Sequence, residues 1–318
     1  RLLFRSLQQL GVQARSFMGW QVAIRTTGAH STARIEEIET KELEDRLARG
    51  HVPIIAGFQG LGPDGRITTL GRGGTDTSAV AFAAALGADR CDIYTDVDGV
   101  YTTDPRIVPD ASKIDRISYE EMLEFASLGA KVLQTRSVEL AMRFNIPIHL
   151  RSSFKSVDGT LVMEEDEKME RAAITGVTYN RDEAKVTIQG IPDHPWIAAN
   201  VFGPVADAGI NVDVIVQNVS EQDHTDITFT VPKSDSAKTI DTIPKVVKEI
   251  GANDLKLDSS IAKVSIIGVG MRGHSGVAAK MFQSLASEGI NIMMISTSEI
   301  KISCVIESKY TELAVRTL

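Results

Sequence analysis

Cysteine is nearly absent. Only Cys91 and Cys304 occur among 318 residues, in separate apolar runs and in no Cys-x-x-Cys or metal-type spacing. Two such thiols in a chain of this length suit a reducing compartment, and both read as small buried hydrophobes. No apolar run approaches the roughly 20 residues needed to cross a bilayer, and no signal-peptide cleavage pattern follows the opening Arg-Leu-Leu-Phe-Arg-Ser-Leu. Basic charge is not in excess. With 34 Lys and Arg against 42 Asp and Glu, the formal net charge is -8 and the pI about 5.4. That argues against a general nucleic-acid binder, which needs a basic face, but leaves room for a basic pocket around an anionic ligand. The six histidines are scattered without a His-Glu-x-x-His run. Gly-x-Ser-x-Gly and Gly-x-x-x-x-Gly-Lys-Ser/Thr are missing too, which weakens metalloenzyme, hydrolase and P-loop readings. A cytoplasmic protein that binds neither membrane nor nucleic acid is the expectation.

What is present is the balance of a soluble globular protein, 43% hydrophobic and 24% charged, in a chain long enough for two or three domains. Leu3, Phe4, Leu7 and Leu10 fit one helix face that stops at Gly11, so the chain reads as starting inside a helix, as a fragment. From about residue 20 to 165 short apolar strands alternate with longer helical patterns, the signature of an α/β sheet with covered faces. Val52–Gly57, Cys91–Tyr94 and Ile146–Leu150 read as strands, and Ala79–Leu86, Glu120–Phe125 and Val132–Phe144 as helices, with Ser118 as an N-cap. The acidic run Glu164-Glu-Asp-Glu-Lys-Met-Glu170 reads as a solvated linker, not a metal site.

An internal repeat follows. Ile197-Ala-Ala-Asn-Val-Phe202 returns as Val277-Ala-Ala-Lys-Met-Phe282, and Gly209-Ile-Asn-Val212 as Gly289-Ile-Asn-Ile292, both offset by 80 positions. Lys185-Val-Thr-Ile188 and Lys263-Val-Ser-Ile266 correspond at a slightly shorter offset. Each copy reads strand, loop, amphipathic helix, glycine turn, strand, strand, an order that suits a small ferredoxin-like α+β unit.

Two segments carry the chemistry. Thr68-Thr-Leu-Gly-Arg-Gly-Gly-Thr-Asp-Thr-Ser-Ala79 joins a glycine-rich turn to a cation, hydroxyls and a carboxylate ahead of an alanine-rich helix. Tyr94-Thr-Asp-Val-Asp-Gly-Val-Tyr-Thr-Thr-Asp-Pro-Arg106 is a strand that breaks into a loop of hydroxyls and charge. Backbone N–H groups and a helix N-terminus in such loops can hold phosphates, and an arginine can clamp a carboxylate bidentately. Singly these features are ordinary: Gly73-Gly74 is a turn, and Asp98-Gly99 is a turn, not a calcium loop. In this order and spacing they closely resemble the aspartokinases, a branch of the amino-acid kinase family. The repeats resemble ACT domains, regulatory modules that bind amino acids.

The resemblance implies an α/β amino-acid kinase sheet (partial) over residues 1–165, followed by two ferredoxin-like α+β ACT domains at 173–250 and 258–318, the second incomplete at its end. It implies transfer of the ATP γ-phosphate to the side-chain carboxylate of L-aspartate, with Mg2+. Arg72, Gly73, Gly74 and Thr75 would hold aspartate, with Phe58 bordering its pocket, and Thr75 stands where the family usually has serine. Asp76 would orient lysines around the phosphoryl group, and Lys131 would reach the phosphates. Thr95, Asp96, Tyr101, Thr102, Thr103, Asp104, Pro105 and Arg106 would line the ATP site. The family's N-terminal Lys-Phe/Tyr-Gly-Gly segment does not precede these motifs, so residues 1–318 alone are expected to turn over poorly.

In the repeats, Asn211, Val212, Asp213 and Gln217 would contact an effector, as would Val277, Ala278, Asn291, Ile292 and Ser298. Lysine, threonine or both are the implied effectors, acting on a homo-oligomer that is at least a dimer through its ACT domains. Asn211 and Asn291 also suit tight turns on their own, and Met293 replaces the acidic residue of the first copy. Trp196 stands where Gly276 stands in the second copy, so its indole either narrows the pocket or packs at an interface. A noncatalytic amino-acid-sensing subunit and another amino-acid kinase, such as glutamate 5-kinase, are the alternatives.

Overall fold

The computed structural model describes residues 2–130, 132–167, 169, 172–219 and 224–318. The chain forms two compact units, Arg1–Thr102 with Ala111–Thr175, and Thr103–Asp110 with Gly176–Leu318. No helix among the described residues is long and apolar enough to cross a membrane.

The first unit begins with α1 (Leu2–Gln9), β1 (Ala14–Phe17), β2 (Ile24–Thr26), β3 (Ile35–Ile38), α2 (Lys41–Leu47), β4 (Val52–Ile55), β5 (Gln59–Leu61) and β6 (Ile67–Thr69). It continues with α3 (Gly74–Ala85), β7 (Cys91–Thr95), β8 (Val100–Tyr101), β9 (Lys113–Ile114), β10 (Arg116–Ser118), α4 (Tyr119–Ser127), α5 (Thr135–Phe144), β11 (Ile148–Ser152) and β12 (Thr160–Met163). Its sheets run β10-β12-β11-β7 and β3-β2-β5-β6, with β1 parallel to β4. Strands β7 and β11 pair in parallel with Ile93 opposite Leu150.

Local chemistry explains the helices that frame the site. The small side chains of α3 let the helix pack closely, burying Val80, Ala81, Phe82 and Ala83. Ser118 caps α4 in a full capping box: its Oγ accepts from Glu121 N at 3.2 Å, and Glu121 Oε2 accepts from Ser118 N at 3.1 Å. Helix α5 ends at Asn145, left-handed at φ 51°. It starts three residues later than its apolar pattern suggests, because Gln134 is extended (ψ 133°) and gives its backbone N–H to the Asp76 carboxylate.

The second unit contains the repeat. After β13 (Gly176–Asn180), the first copy is β14 (Glu183–Pro192), α6 (Ile197–Asp207), β15 (Ile215–Val219), β16 (His224–Pro232), α7 (Ser236–Glu249) and β17 (Asp254–Asp258). The second is β18 (Ile261–Ile267), α8 (Val277–Ser287), β19 (Met294–Thr297), β20 (Lys301–Glu307) and α9 (Thr311–Thr317). The sheet orders β15-β16-β14-β17 and β19-β20-β18-β13 match strand for strand.

That match moves the domain limits inferred from sequence. Strand β13, counted within 173–250, pairs antiparallel with β18, Val177 opposite Ile266, and so completes the second copy's sheet. Strand β17, beyond 250, completes the first by pairing with β14. The second sheet therefore takes its fourth strand from ahead of the first copy. Val186, Ile188, Val201, Ile227 and Phe229 centre one core; Val264, Ile266, Leu285, Cys304 and Ile306 centre the other.

Candidate active site

Strand β6 delivers the chain to Leu70, which is 1% exposed and donates its N–H to Phe58 O at 3.1 Å. The loop then turns through Gly71 to Gly74 into α3. Gly73 is left-handed at φ 71°, and a Cβ there would lie 1.8 Å from Gln134 Cγ, so only glycine fits. No side chain among the described residues caps α3, leaving an N-terminus that favours negative charge. Arg72 is exposed beside it and makes no hydrogen bond or ion pair with any described residue. Thr75 is exposed and Asp76 half-buried in the first turn. Burial pushes the Asp76 carboxyl upward, against the opposing hydrogen bond from the Gln134 backbone.

Phe58 closes this group. It holds φ 70°, a strained conformation for a residue with a Cβ, and is 40% exposed. Its N–H donates to Ser78 Oγ at 3.3 Å, and Ser78 Oγ donates to Thr75 O at 2.9 Å. The structure thus brings together Phe58, Arg72, Gly73, Gly74, Thr75 and Asp76: a guanidinium without a partner among the described residues, a helix N-terminus and an aromatic side chain.

A second group gathers where β7 ends. Thr95 O accepts from Ser153 N at 2.8 Å, and Asp96 is exposed. Asp98 accepts from Lys155 Nζ at 2.7 Å and from Tyr101 OH at 3.0 Å. Those bonds hold the Asp98 carboxyl below its ordinary range, Lys155 contributing most, and push the Tyr101 phenol up. Lys155 was missed in the sequence because it lies 57 residues on from Asp98, past β11, and only that strand's pairing with β7 returns it to the loop. Thr102 accepts the Ser112 N–H on its Oγ1 at 3.1 Å.

Thr103, Asp104, Pro105 and Arg106 follow directly on Thr102 and belong to the second unit. Asp104 pairs with Arg106 at 2.8 Å and accepts from Tyr179 OH at 3.1 Å, while Ile107 packs with Val177 and Val264. Arg106 first, with Tyr179 adding to it, holds the Asp104 carboxyl down. Lys131 lies outside the described residues.

In the repeats, Asn211 and Asp213 are exposed and Val212 half-buried after the α6 turn, and Gln217 is exposed on β15. Asp213 pairs with Lys263 of the second copy, which also reaches Glu183 at 2.5 Å. Lys263 is 3% exposed; burial lowers its pKa, but the Glu183 and Asp213 carboxylates outweigh that and leave it raised. This triad escaped the sequence reading, although a lysine inside Ile261-Ala-Lys-Val-Ser-Ile-Ile267 was its signal. Val277 and Ala278 open α8, Asn291 and Ile292 follow its turn, and Ser298 N donates to Lys301 O at 2.8 Å beyond β19.

Known proteins agree with this layout. The amino acid kinase family model matches residues 1–152, and an ACT domain model matches residues 186–246 and 264–318. The aspartate kinase of Pseudomonas fluorescens (strain SBW25) is 55% identical over 318 residues, 100% of this chain and 77% of that protein. Escherichia coli aspartokinase III, solved with aspartate and ADP in its R-state, superposes with a TM-score of 0.82 at 32% identity, over 100% of this chain and 71% of that one. Its T-state, solved with lysine and aspartate, gives 0.75 at 32% identity, over 98% and 69%. The chain belongs to the aspartokinase family of ATP-dependent kinases, with an amino-acid kinase domain followed by paired ACT domains.

Proposed function

We propose that this chain transfers the γ-phosphoryl group of ATP to the side-chain carboxylate of L-aspartate, with Arg72 and the N-terminus of α3 as the aspartate site. One observation carries the assignment: a guanidinium with no hydrogen-bond or ion-pair partner among the described residues lies beside a helix N-terminus that none of their side chains caps, in a loop whose glycines are required by contact. The acceptor carboxylate, with a pKa near 3.9, is already ionised at neutral pH and needs no general base. The difficulty is bringing an anion to a polyanion, so catalysis rests on positioning and charge compensation. A carboxylate oxygen attacks the γ-phosphorus in line, the bond to the β-γ bridging oxygen breaks, and ADP leaves. Arg72 grips an aspartate carboxylate, Phe58 borders the pocket, Asp76 orients the lysines that flank the transferring group, and Lys131 would serve the nucleotide phosphates. Thr95, Asp96, Tyr101 and Thr102 border the nucleotide.

Among the described residues no three His, Cys, Asp or Glu form a metal cage. The exposed carboxylate of Asp96 is of the hard oxygen type that Mg2+ takes, so it would serve as a ligand to Mg2+ carried on the triphosphate, whose charge would offset that of the phosphates. Lysine, threonine or both would bind at the paired repeats, in a homo-oligomer that is at least a dimer through them. E. coli aspartokinase III binds lysine in its T-state, and an effector inhibits by preferring the less active arrangement. The test is ADP release by the native full-length protein with aspartate or glutamate as acceptor. Turnover with aspartate alone supports the reading; turnover with glutamate alone overturns it.

A further inference from the structure

Arg136 lies in the first turn of α5, half-buried. Its Nη1 donates to Leu70 O at 2.7 Å and its Nη2 to Ala33 O at 2.9 Å. Both carbonyls belong to the frame of the aspartate loop. Leu70 is the residue before Gly71, and Ala33 N donates to Thr69 O at 3.3 Å. The guanidinium fork therefore ties two neighbouring strands of chain at the point where the loop departs.

The two residues before it act on the same loop. The Gln134 side chain fills the space over Gly73, and its backbone N–H bonds the Asp76 carboxylate. Residues 134–136 thus touch the loop at its entry, its middle and its end. The position of Arg136 is costly for the helix that carries it: a cation in a first turn opposes the helix dipole. No carboxylate among the described residues pairs with it, so its two hydrogen bonds go entirely to loop carbonyls. Lysine could reach one carbonyl but could not reproduce the planar fork.

We propose that Arg136 is a positioning residue for aspartate: by fixing the Leu70 carbonyl it sets the course of Gly71 to Gly74, and with it the aim of Arg72 and of the α3 N-terminus. This rests on the assignment of that loop to aspartate. Because Arg136 bonds only backbone, it acts through Arg72 and the loop amides, and its loss shows in the acceptor's kinetics and not in the nucleotide's.

The experiment is steady-state kinetics of the native full-length protein and of Arg136→Lys, Arg136→Ala and Arg72→Ala, varying aspartate and ATP separately. The expected result is a rise of about tenfold or more in KM for aspartate in both Arg136 variants, with KM for ATP within about twofold of wild type. Millimolar guanidinium added to Arg136→Ala should recover part of the loss, whereas it should do nothing for Arg136→Lys. Thermal melts identify any variant that fails to fold, and Arg136→Lys with its retained charge carries the test in that case. An unchanged KM for aspartate in a folded Arg136 variant, while Arg72→Ala raises it, overturns the positioning role alone. Equal rises in both KM values overturn it as well. An unchanged KM in Arg72→Ala overturns the loop assignment and this role together.

Discussion

The ammonium of Lys263, in the second repeat, pairs with the carboxylate of Asp213, in the turn of the first. At the equivalent place with the copies exchanged, Lys185 Nζ lies 3.7 Å from Met293 Sδ. The replacement of an acid by Met293 is thus one half of a crossed arrangement in which each copy's first strand meets the other copy's turn. Asp213 is engaged by Lys263 through Oδ2, and its half-exposed carboxylate would have to accept an effector ammonium beside that lysine or in its place.

The two partners should differ in what they stabilise. Lys263→Ala strands the buried Glu183, whose Oε2 has no hydrogen-bond partner among the described residues, and should destabilise the second unit by about 3 kcal/mol. Asp213 has a side chain 52% exposed, and Asp213→Ala should cost no more than about 1 kcal/mol while relieving inhibition by lysine or threonine. Denaturant melts and inhibition curves on the full-length protein read both. Equal losses of stability would refute the buried character of the triad, and unaltered inhibition would remove Asp213 from the effector site.

Trp196 holds φ 84° at the start of α6, where Gly276 holds φ 88° at the start of α8. Tryptophan pays for a left-handed backbone that glycine adopts freely, and at 80% exposed it gains little from burial. Trp196→Gly should therefore stabilise the protein by about 1 kcal/mol, visible as a raised melting temperature. Strengthened inhibition in the same variant would mean that the indole narrows the effector pocket.

Burial raises the Asp76 pKa, so the fold holds its proton to a higher pH than an exposed carboxylate would. The charged form is the one disfavoured by folding, hence the stabilising contribution of Asp76 is full below its ordinary value of 3.8 and is lost as pH rises through its raised folded value. Turnover has the opposite sign, because orienting cations requires the carboxylate. The acid limb of kcat should lie above the ordinary value of 3.8, and Asp76→Asn should lower kcat and abolish that limb. A limb that persists in Asp76→Asn belongs to another group.

The thiols of Cys91 and Cys304 are pushed up by burial to about 11 and about 12. Neither should react appreciably with an aromatic disulfide reagent at neutral pH until the protein unfolds. Two thiols titrating rapidly in the native protein would contradict their placement.

Local chemistry was legible from sequence where neighbours in the chain decide it. Ser118 and Glu121 cap α4 as their spacing implies, and the 80-residue repeat gave two sheets of identical strand order. What stayed hidden depends on contacts far apart in the chain. Strand β13 reads as part of the copy it precedes, yet its register with β18 assigns it to the other. Thr103 to Arg106 read as the continuation of a nucleotide loop, and only Tyr179 and the packing of Ile107 reveal where they are anchored. Arg136 looks like a solvated residue near the start of an amphipathic helix, since its acceptors are carbonyls 66 and 103 residues away.

The most direct test of the site traps the product. The native full-length protein and its Arg72→Ala variant are incubated with ATP, aspartate and hydroxylamine, and the hydroxamate is identified and followed against aspartate concentration. The expected result is the side-chain hydroxamate from the wild type, with a KM for aspartate raised about a hundredfold in Arg72→Ala, the loss of a charged bidentate contact. Hydroxamate on the α-carboxylate, or wild-type aspartate saturation in Arg72→Ala, would contradict the assignment of this loop.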